Sequence, residues 1–375
     1  MAQKVVVVGA GVIGLATARA LAARGASVVV VDGSTGSREA SWAAAGILGV
    51  GTENLADGPL FRFALAAHRR WPSLVAELEA ETGVDLRYRT EGTLLVALET
   101  GDVPPLDARL ALLPAHGIDA RRLEGDEARQ LEPRLSPSVR SALWIPEARL
   151  DNRHLWQAYE ISCRHRGIPR HTNEAVLEVL DRGGRAAGVR TPTETIAADA
   201  VVIAAGAWSE DLARASGLSL PMTPVKGQLV RLAAPDGWLT RIVKRGIHYL
   251  VPQVAHGLVV GTTAEEVGFD RGLHEEALEG IVAGVARLVP EAAGLPRIEA
   301  WAGFRPRLPD LLPAIGAVAG RPGLVVATGH YRNGILLCEV TGQAAAAAVF
   351  GEPDPFGGLG AAFDPARFGA PTRRA

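Results

Sequence analysis

The sequence predicts an α/β protein, in which a Rossmann-like parallel β-sheet domain receives an inserted domain of mixed or antiparallel β-sheet and helices. Three observations support this fold class. A strand–helix–strand pattern occupies the first 32 residues. Two later apolar runs, at 200–204 and 324–327, each lead to a glycine, as buried strands of a parallel sheet do. Between these runs lie several short segments with the alternation of antiparallel strands.

The opening pattern defines the first pair of parallel strands. Residues 4–8 contain four consecutive valines, as expected of a strand buried on both faces. A glycine-rich turn leads into a predicted helix over 12–24, which Gly25 ends. A second apolar run over 27–31 ends at Asp32. Two buried strands joined by one helix in so short a span form a parallel, right-handed crossover.

The rest of the chain alternates between predicted strands and helices, without an internal repeat. The polar segment 101–137 contains several prolines and is not assigned. The tail beyond Gly351 is expected to lie on the surface, anchored by Phe356, Phe363 and Phe368. Helices are expected over 52–80, 275–288 and 334–349, and strands over 93–97, 173–179, 185–190, 194–203, 223–232, 248–253, 257–263 and 324–327.

The composition argues against several partners and locations. The 375 residues carry a net charge of -2, which disfavours nucleic-acid or membrane-surface binding through bulk charge. An apolar stretch at 5–23 stands where a leader or anchor would, but three glycines and Arg19 interrupt it. Cys163 and Cys338 lie far apart, so no disulfide framework or zinc site is expected, and the reducing cytoplasm fits best. No metal-binding motif occurs, and no metal is predicted.

The first motif with chemical meaning is GAGVIG at residues 9–14. Its glycines let the backbone approach a pyrophosphate, which the amides at the helix N-terminus then bind. Asp32, at the end of the next strand, could accept hydrogen bonds from both ribose hydroxyls of an adenosine moiety. This context disfavours a glycine-rich turn that binds no nucleotide, but it does not distinguish FAD from NAD. The candidate cofactor residues are Gly9, Gly11, Ile13, Gly14, Asp32 and Gly33.

A second motif, SWAAAGIL at residues 41–48, combines small residues with a glycine. Such a backbone can pass close to a flat ring system, and the serine hydroxyl can bind a phosphate or a ring atom. A helix that simply begins on small residues explains the pattern equally well. The candidates are Ser41, Ala45, Gly46 and Ile47.

The third motif, GHYRNGIL at residues 329–336, joins a buried strand to the late helix. Amides at the N-terminus of that helix would face an electron-rich atom of a ligand. Arg332 could bind a carboxylate through two parallel hydrogen bonds, or it could be a surface arginine on a solvated turn. The candidates are Gly329, His330, Tyr331, Arg332, Asn333, Gly334, Ile335 and Leu336.

Two further residues could complete a carboxylate site. Arg305, within WAGFRP at 301–306, is either a second cationic group near the substrate or one half of a structural ion pair. Tyr249 could add a hydroxyl, although a lone tyrosine on a strand is more often a packed aromatic. The neighbouring His248 is best explained as a structural histidine.

Together these segments resemble the D-amino-acid oxidase superfamily of flavoproteins, and within it the glycine oxidases of thiamine biosynthesis. The resemblance covers nearly the whole chain, and the HYRNGILL string is its most specific element. Its segments are VVVVGAGVIGLATARALAARG, ASWAAAGIL, VVIAAGAWS, HYLVPQ, GTTAEE-GFD, WAGFRPRLPD, ATGHYRNGILL and the closing FDPARF.

The resemblance implies two domains and a set of site residues. An arginine matching Arg332 would bind the substrate carboxylate, assisted by Tyr249, with Arg305 nearby. The backbone at Val176 would meet the adenine, and Gly206 and Gly303 are further cofactor candidates. The FAD-binding domain would comprise 1–50, 145–218 and 300–365, and the substrate-binding domain 51–144 and 219–299.

The FAD is expected to be non-covalent. Relatives with covalent flavin carry a cysteine in the segment that corresponds to 303–306, where this chain has none. The implied reaction oxidises glycine, and sarcosine or small D-amino acids, to the imine or 2-oxo acid, while O₂ is reduced to H₂O₂. The imine could pass to a thiazole synthase, and the family resemblance suggests a homo-tetramer.

Several alternatives remain open. A sister enzyme could be a D-amino-acid dehydrogenase that passes electrons to a quinone or carrier, or a sarcosine oxidase. An alternative of another class is a nucleotide-binding module without catalysis. An NAD-dependent dehydrogenase is disfavoured, because its fold does not need the late glycine-rich junction of strand and helix.

Overall fold

The computed structural model describes residues 2–34, 39–54 and 56–369. Its helices are α1 (Val12–Ala23), α2 (Ala40–Ala43), α3 (Pro59–Thr82), α4 (Val103–Ala115), α5 (Gly125–Leu131), α6 (Asn152–His165), α7 (Ser209–Ala215), α8 (Glu275–Ala286) and α9 (Gly334–Phe350). Its strands are β1 (Lys4–Val8), β2 (Ser27–Asp32), β3 (Ile47–Leu48), β4 (Thr93–Ala97), β5 (Arg121–Glu124), β6 (Ser141–Ile145), β7 (Ala148–Arg149), β8 (Arg170–Thr172), β9 (Glu178–Arg182), β10 (Arg185–Arg190), β11 (Thr195–Ala197), β12 (Ala200–Ile203), β13 (Thr223–Leu232), β14 (Ile242–Arg245), β15 (His248–Gln253), β16 (Gly257–Gly261), β17 (Arg297–Arg307), β18 (Ala314–Ala317) and β19 (Leu324–Thr328).

The first sheet has six strands in the order β18-β19-β12-β1-β2-β8. All of its pairings are parallel except that of the edge strand β18. Val5 and Val7 of β1 face a core formed with α1, α6, α3 and α9, whereas Val6 and Val8 face the small sheet β9–β11. Burial on both faces explains the continuous apolar run, and the predicted crossover is confirmed.

The second sheet has eight strands in the order β17-β13-β16-β15-β14-β4-β6-β5. Its pairings are antiparallel except that between β14 and β4. One face packs against α8 through residues such as Leu278 and Val285. The other face, with Tyr249 and Val251, packs against Ala43 and Ala45. Side chains on this second face therefore point toward the first sheet, and the predicted α/β class with an inserted mixed sheet is confirmed.

Some predicted elements have different limits. The helix expected from residue 52 begins at Pro59, because the preceding loop forms other hydrogen bonds: Glu147 Oε1 accepts the N–H groups of Gly51 and Thr52. The strand expected over 173–179 was wrong in position. Asn173 has a left-handed φ of 58°, and β9 begins only at Glu178.

Other elements were missed. The unassigned segment 101–137 contains α4, β5 and α5. Strand β17 was not predicted, since Gly303 and Pro306 interrupt its pattern, yet it pairs with β13 along its length. The tail is anchored as expected, because the rings of Phe356 and Phe363 pack on Phe63. Across the described residues, the helices include none with the length and apolar character that crossing a bilayer demands.

Candidate functional site

A cavity of about 700 Å³ lies between the two sheets. It extends from the carboxyl ends of β1 and β2 to the side chains of Tyr249, Arg305 and Arg332 on the other side. Of the predicted cofactor residues, all line this cavity except Gly14 and Gly329. The sequence motifs, which lie near both ends of the chain at 9–14, 41–48, 301–306 and 329–336, therefore meet at one place.

The first wall is the GAGVIG turn. Gly9 has a φ of 109°, and a Cβ there would lie 2.8 Å from the carbonyl carbon of Ala204. A Cβ on Gly14 would lie 2.9 Å from the carbonyl carbon of Gly9, so this glycine serves contact between helix and strand instead of lining the cavity. The N–H of Val12 donates to Ser41 Oγ over 3.0 Å, which joins the first and second motifs at the start of α1.

Asp32 organises the loop at the end of β2. One carboxylate oxygen accepts the N–H of Ala10 at 2.6 Å, and the other accepts the N–H and hydroxyl of Ser34 at 2.8 and 2.6 Å. The carboxylate and Gly33 line the same end of the cavity as Val176. This end is therefore polar at the strand terminus and apolar opposite it, as an adenosine site requires.

The second motif is both a short helix and a cavity wall. Residues 40–43 form α2, and 44–46 then pass along the cavity as irregular backbone before β3 begins at Ile47. Asn152 Nδ2 donates to the carbonyls of Ser41 and Trp42, both at 2.9 Å, and Gln253 Nε2 donates to the carbonyl of Ala45 at 3.2 Å. Asn152 and Gln253 were not identified from the sequence, because no local pattern marks a side chain that supports a distant backbone.

The third motif forms the N-terminus of α9. The N–H groups of the first helical turn face the cavity, and Asn333, Gly334, Ile335 and Leu336 line it. Asn333 Oδ1 is buried and accepts no hydrogen bond from the residues that the structure describes. Because Asn333 lines the cavity, a hydrogen-bond donor of a bound ligand could satisfy this oxygen. Gly329 lies outside the lining, since a Cβ there would meet Leu308 Cγ at 2.9 Å.

His330 contributes a neutral ring to this wall. It is almost fully buried, and its Nε2 lies 2.9 Å from the Oγ1 of Thr341. Burial lowers the pKa of His330 to about 3, so the imidazole carries no charge at neutral pH.

Tyr249 on β15 and Arg305 on β17 are separated by two strands of the second sheet, and each stands against a glycine of the strand next to its own. A Cβ on Gly261 would lie 2.5 Å from the Tyr249 hydroxyl, and one on Gly227 would lie 2.5 Å from Arg305 Cζ. Arg305 donates to Thr263 O at 3.1 Å and to Thr262 Oγ1 at 2.8 Å. Among the described residues Arg305 has no acidic ion-pair partner.

Burial changes the proton affinity of both groups. It raises the pKa of Tyr249, which is only 5 % exposed, so the phenol stays protonated and can donate a hydrogen bond. It lowers the pKa of Arg305, and the positive charge of Arg332 acts in the same direction. A guanidinium keeps its charge nevertheless, so this end of the cavity attracts an anion.

Arg332 differs from Arg305 in having an acidic partner. Arg332 Nε lies 2.7 Å from Glu53 Oε2, and Nη2 donates to Glu53 Oε1 at 3.3 Å. Lys244 also pairs with Glu53, and these side chains are only 4 % and 14 % exposed. Burial alone would raise the pKa of Glu53, but the charges and hydrogen bonds of Lys244 and Arg332 outweigh it and hold that pKa at about 2. Glu53 and Lys244 lie in no motif that would mark them from the sequence.

The remaining polar candidates lie outside this cavity. His248 packs against α8, where a Cβ on Gly284 would meet its Cε1 at 2.8 Å, which agrees with a structural role. Cys163 and Cys338 are free thiols, buried away from the cavity lining.

One cluster departs from the sequence-based picture. Asp151, His154 and His256 bring one ligand atom each within 4.8 Å of one another, beside a second, open cavity. Arg87 Nη1 lies 3.6 Å from Asp151 Oδ2, and this positive charge opposes the binding of a cation.

Comparisons with known proteins agree with this geometry. The family model described as FAD dependent oxidoreductase (DAO) matches residues 4–348. A protein of Pseudomonas aeruginosa named glycine oxidase is 35 % identical over 352 residues, which cover 91 % of this chain and 93 % of that protein. A protein of a Nostoc species named bifunctional protein ThiO/ThiG is 33 % identical over 91 % of this chain and 52 % of its own length.

A solved structure gives the same result in three dimensions. The crystal structure of glycine oxidase from Geobacillus kaustophilus superposes with a TM-score of 0.93 and is 33 % identical, covering 97 % of this chain and 99 % of that one. The similarity therefore includes both sheets and the cavity between them.

Proposed function

The chain belongs to the DAO family of FAD-dependent oxidoreductases, and from this premise we propose that it oxidises glycine to the imine with O₂ as electron acceptor. Sarcosine and small D-amino acids are proposed as further substrates. The family confirms the resemblance found in the sequence and the expectation of an FAD enzyme. One observation supports the amino-acid substrate above all: Arg305, without an acidic partner among the described residues, stands beside Tyr249 in the cavity that the dinucleotide turn also lines.

We propose the following residues for binding of the cofactor. The turn at Gly9 and Gly11, with the N-terminal amides of α1, holds the diphosphate. Asp32 and Val176 hold the adenosine end. The N-terminus of α9, with Asn333, faces the flavin ring. The FAD is non-covalent in this proposal, because neither cysteine lines the cavity.

FAD held by these residues would supply the redox chemistry, namely acceptance of a hydride from the substrate and transfer of two electrons to O₂. The protein's own part is positioning and exclusion of water. Arg305 and Tyr249 bind the carboxylate, which fixes Cα, and buried apolar residues such as Leu229 and Ile335 wall the cavity. We place the primary carboxylate contact at Arg305, since Arg332 is already paired with Glu53. No residue is needed as a general base once the amine is neutral.

The biological setting is part of the proposal. The relative named bifunctional protein ThiO/ThiG matches this chain over 52 % of the relative's own length, which supports a role in thiamine biosynthesis and transfer of the imine to a thiazole synthase. We also propose a homo-tetramer, a cytoplasmic location and the domain division 1–50, 145–218 and 300–365 against 51–144 and 219–299. Helix α3 belongs to the second group by sequence but packs against α6 and α9 of the first.

Two measurements test the proposal. The purified protein should show the flavin absorbance at about 450 nm. Peroxide formation should then be measured with glycine, sarcosine and D-alanine. Turnover that requires an artificial acceptor, with no oxygen consumed, would replace the oxidase by a dehydrogenase. A protein that takes up no FAD would end the proposal.

A further inference from the structure

Two guanidinium groups line the proposed substrate end of the cavity, and only one is neutralised. Arg305 donates to the neutral oxygens of Thr262 and Thr263. Arg332 instead contacts both carboxylate oxygens of Glu53, at 2.7 and 3.3 Å. Glu53 itself lines the cavity. The carboxylate of Glu53 therefore occupies the position at Arg332 that a second carboxylate of a substrate would otherwise take.

The loop that carries Glu53 is fixed from several directions. Glu147 Oε1 accepts the N–H groups of Gly51 and Thr52 at 2.6 and 2.8 Å. Arg109 donates to the carbonyls of the same two residues at 2.8 and 3.0 Å. Lys244 pairs with Glu53 from the second sheet. The carboxylate cannot easily swing away from Arg332 to admit a ligand.

On the basis of the proposed function, we infer that Glu53 is a specificity-determining residue that restricts the substrate to a single carboxylate. It does so by occupying the guanidinium of Arg332, so that a second carboxylate approaching the same wall finds this cation already paired. A monocarboxylate bound at Arg305 does not need Arg332. Because Glu53 is ionised at any pH well above 2, the restriction holds throughout the neutral range.

The direct test is a binding titration of the FAD-loaded protein that requires no turnover. Acetate, malonate and succinate are titrated against wild type and Glu53→Gln, and the change in flavin absorbance gives each dissociation constant. In Glu53→Gln the affinity for the two dicarboxylates relative to acetate should rise roughly tenfold or more, because a charge-assisted hydrogen bond to Arg332 becomes available. In Glu53→Gln the rate of turnover with D-aspartate relative to that with D-alanine should also rise above the wild-type ratio.

Three further variants separate the causes. Glu53→Gln leaves the buried Lys244 without its partner, so Glu53→Gln/Lys244→Met removes one charge of each sign and protects the fold. It should retain the gain in dicarboxylate binding. Glu53→Gln/Arg332→Met should lose the gain. Glu132→Gln removes a buried carboxylate outside the cavity and should leave the ratio unchanged.

The inference is overturned if neither Glu53→Gln nor Glu53→Gln/Lys244→Met gains affinity for dicarboxylates relative to acetate. It is equally overturned if the gain persists without Arg332. Failure of the proposed function would look different, since wild type would then oxidise no amine in the presence of O₂. The titration would still decide the role of Glu53, because it measures only the binding of small carboxylates.

Discussion

The guanidinium of Arg305 lies directly against the backbone of Gly227, so that a Cβ at this glycine would stand 2.5 Å from Arg305 Cζ. Gly227 of β13 is paired in register with Gly303 of β17, where a Cβ would stand 2.5 Å from the Cβ of Ala43. Two glycines on adjacent strands thus clear space for a charged side chain and for the segment that lines the proposed flavin site. Gly227 and Gly303 therefore affect both the packing of the second sheet and the position of the side chains that line the cavity.

Gly227→Ala should displace Arg305 and weaken substrate binding selectively. We expect the KM for glycine to rise on the order of a hundredfold, as for other small misplacements of a positioning group. The FAD affinity should stay within about twofold, since the atoms nearest to a Cβ at Gly227 belong to Arg305 and not to the residues proposed to hold the diphosphate. Steady-state kinetics and a flavin-binding titration measure the two quantities.

The matched control is Gly280→Ala, in helix α8, where a Cβ would meet no atom within 4 Å. It should leave KM unchanged and stabilise the helix slightly. A rise in KM in both variants would mean that the Gly227 effect is not local to Arg305.

The two arginines should differ in what their loss does to glycine oxidation. Arg305→Met removes the guanidinium without an acidic partner and should raise KM by about two orders of magnitude. Arg332→Met leaves Glu53 paired with Lys244 and should raise KM less, by roughly tenfold at most. The opposite ranking, measured by steady-state kinetics, would restore Arg332 as the primary carboxylate site expected from the family resemblance.

The sequence could predict those parts of the site that depend on local geometry. The turn at Gly9 and the start of α9 follow from glycine and helix-end requirements, and the structure places both in the lining of the cavity; their role in binding a cofactor stays a prediction. Glu53 could not be predicted, because its partners Lys244 and Arg332 lie 191 and 279 positions away. Strand β17 was missed for a similar reason, since its identity rests on pairing with β13 and not on its own alternation.

Glu53 should also shape the acid stability of the protein. Its pKa is lowered from 4.5 to about 2 on folding, so the folded state binds this proton less readily than the unfolded state. The resulting stability is fully present above pH 4.5 and is lost as the pH falls toward 2. The urea midpoint of wild type should therefore fall more steeply between about pH 5 and pH 3 than that of Glu53→Gln. Parallel curves for the two proteins would contradict the lowered pKa.

Asn333 offers a test in which the free and FAD-loaded proteins should respond in opposite directions. Its Oδ1 is buried with no hydrogen-bond partner among the described residues, which costs free energy in the unliganded protein. Asn333→Ala removes this orphan acceptor, so the apoprotein should unfold at an equal or higher temperature. If the flavin supplies the missing donor, the same change should raise the FAD dissociation constant by about tenfold. Thermal unfolding without FAD and fluorescence titration with FAD measure both effects; a variant with less stable apoprotein and unchanged FAD affinity would show that Asn333 serves the helix and not the cofactor.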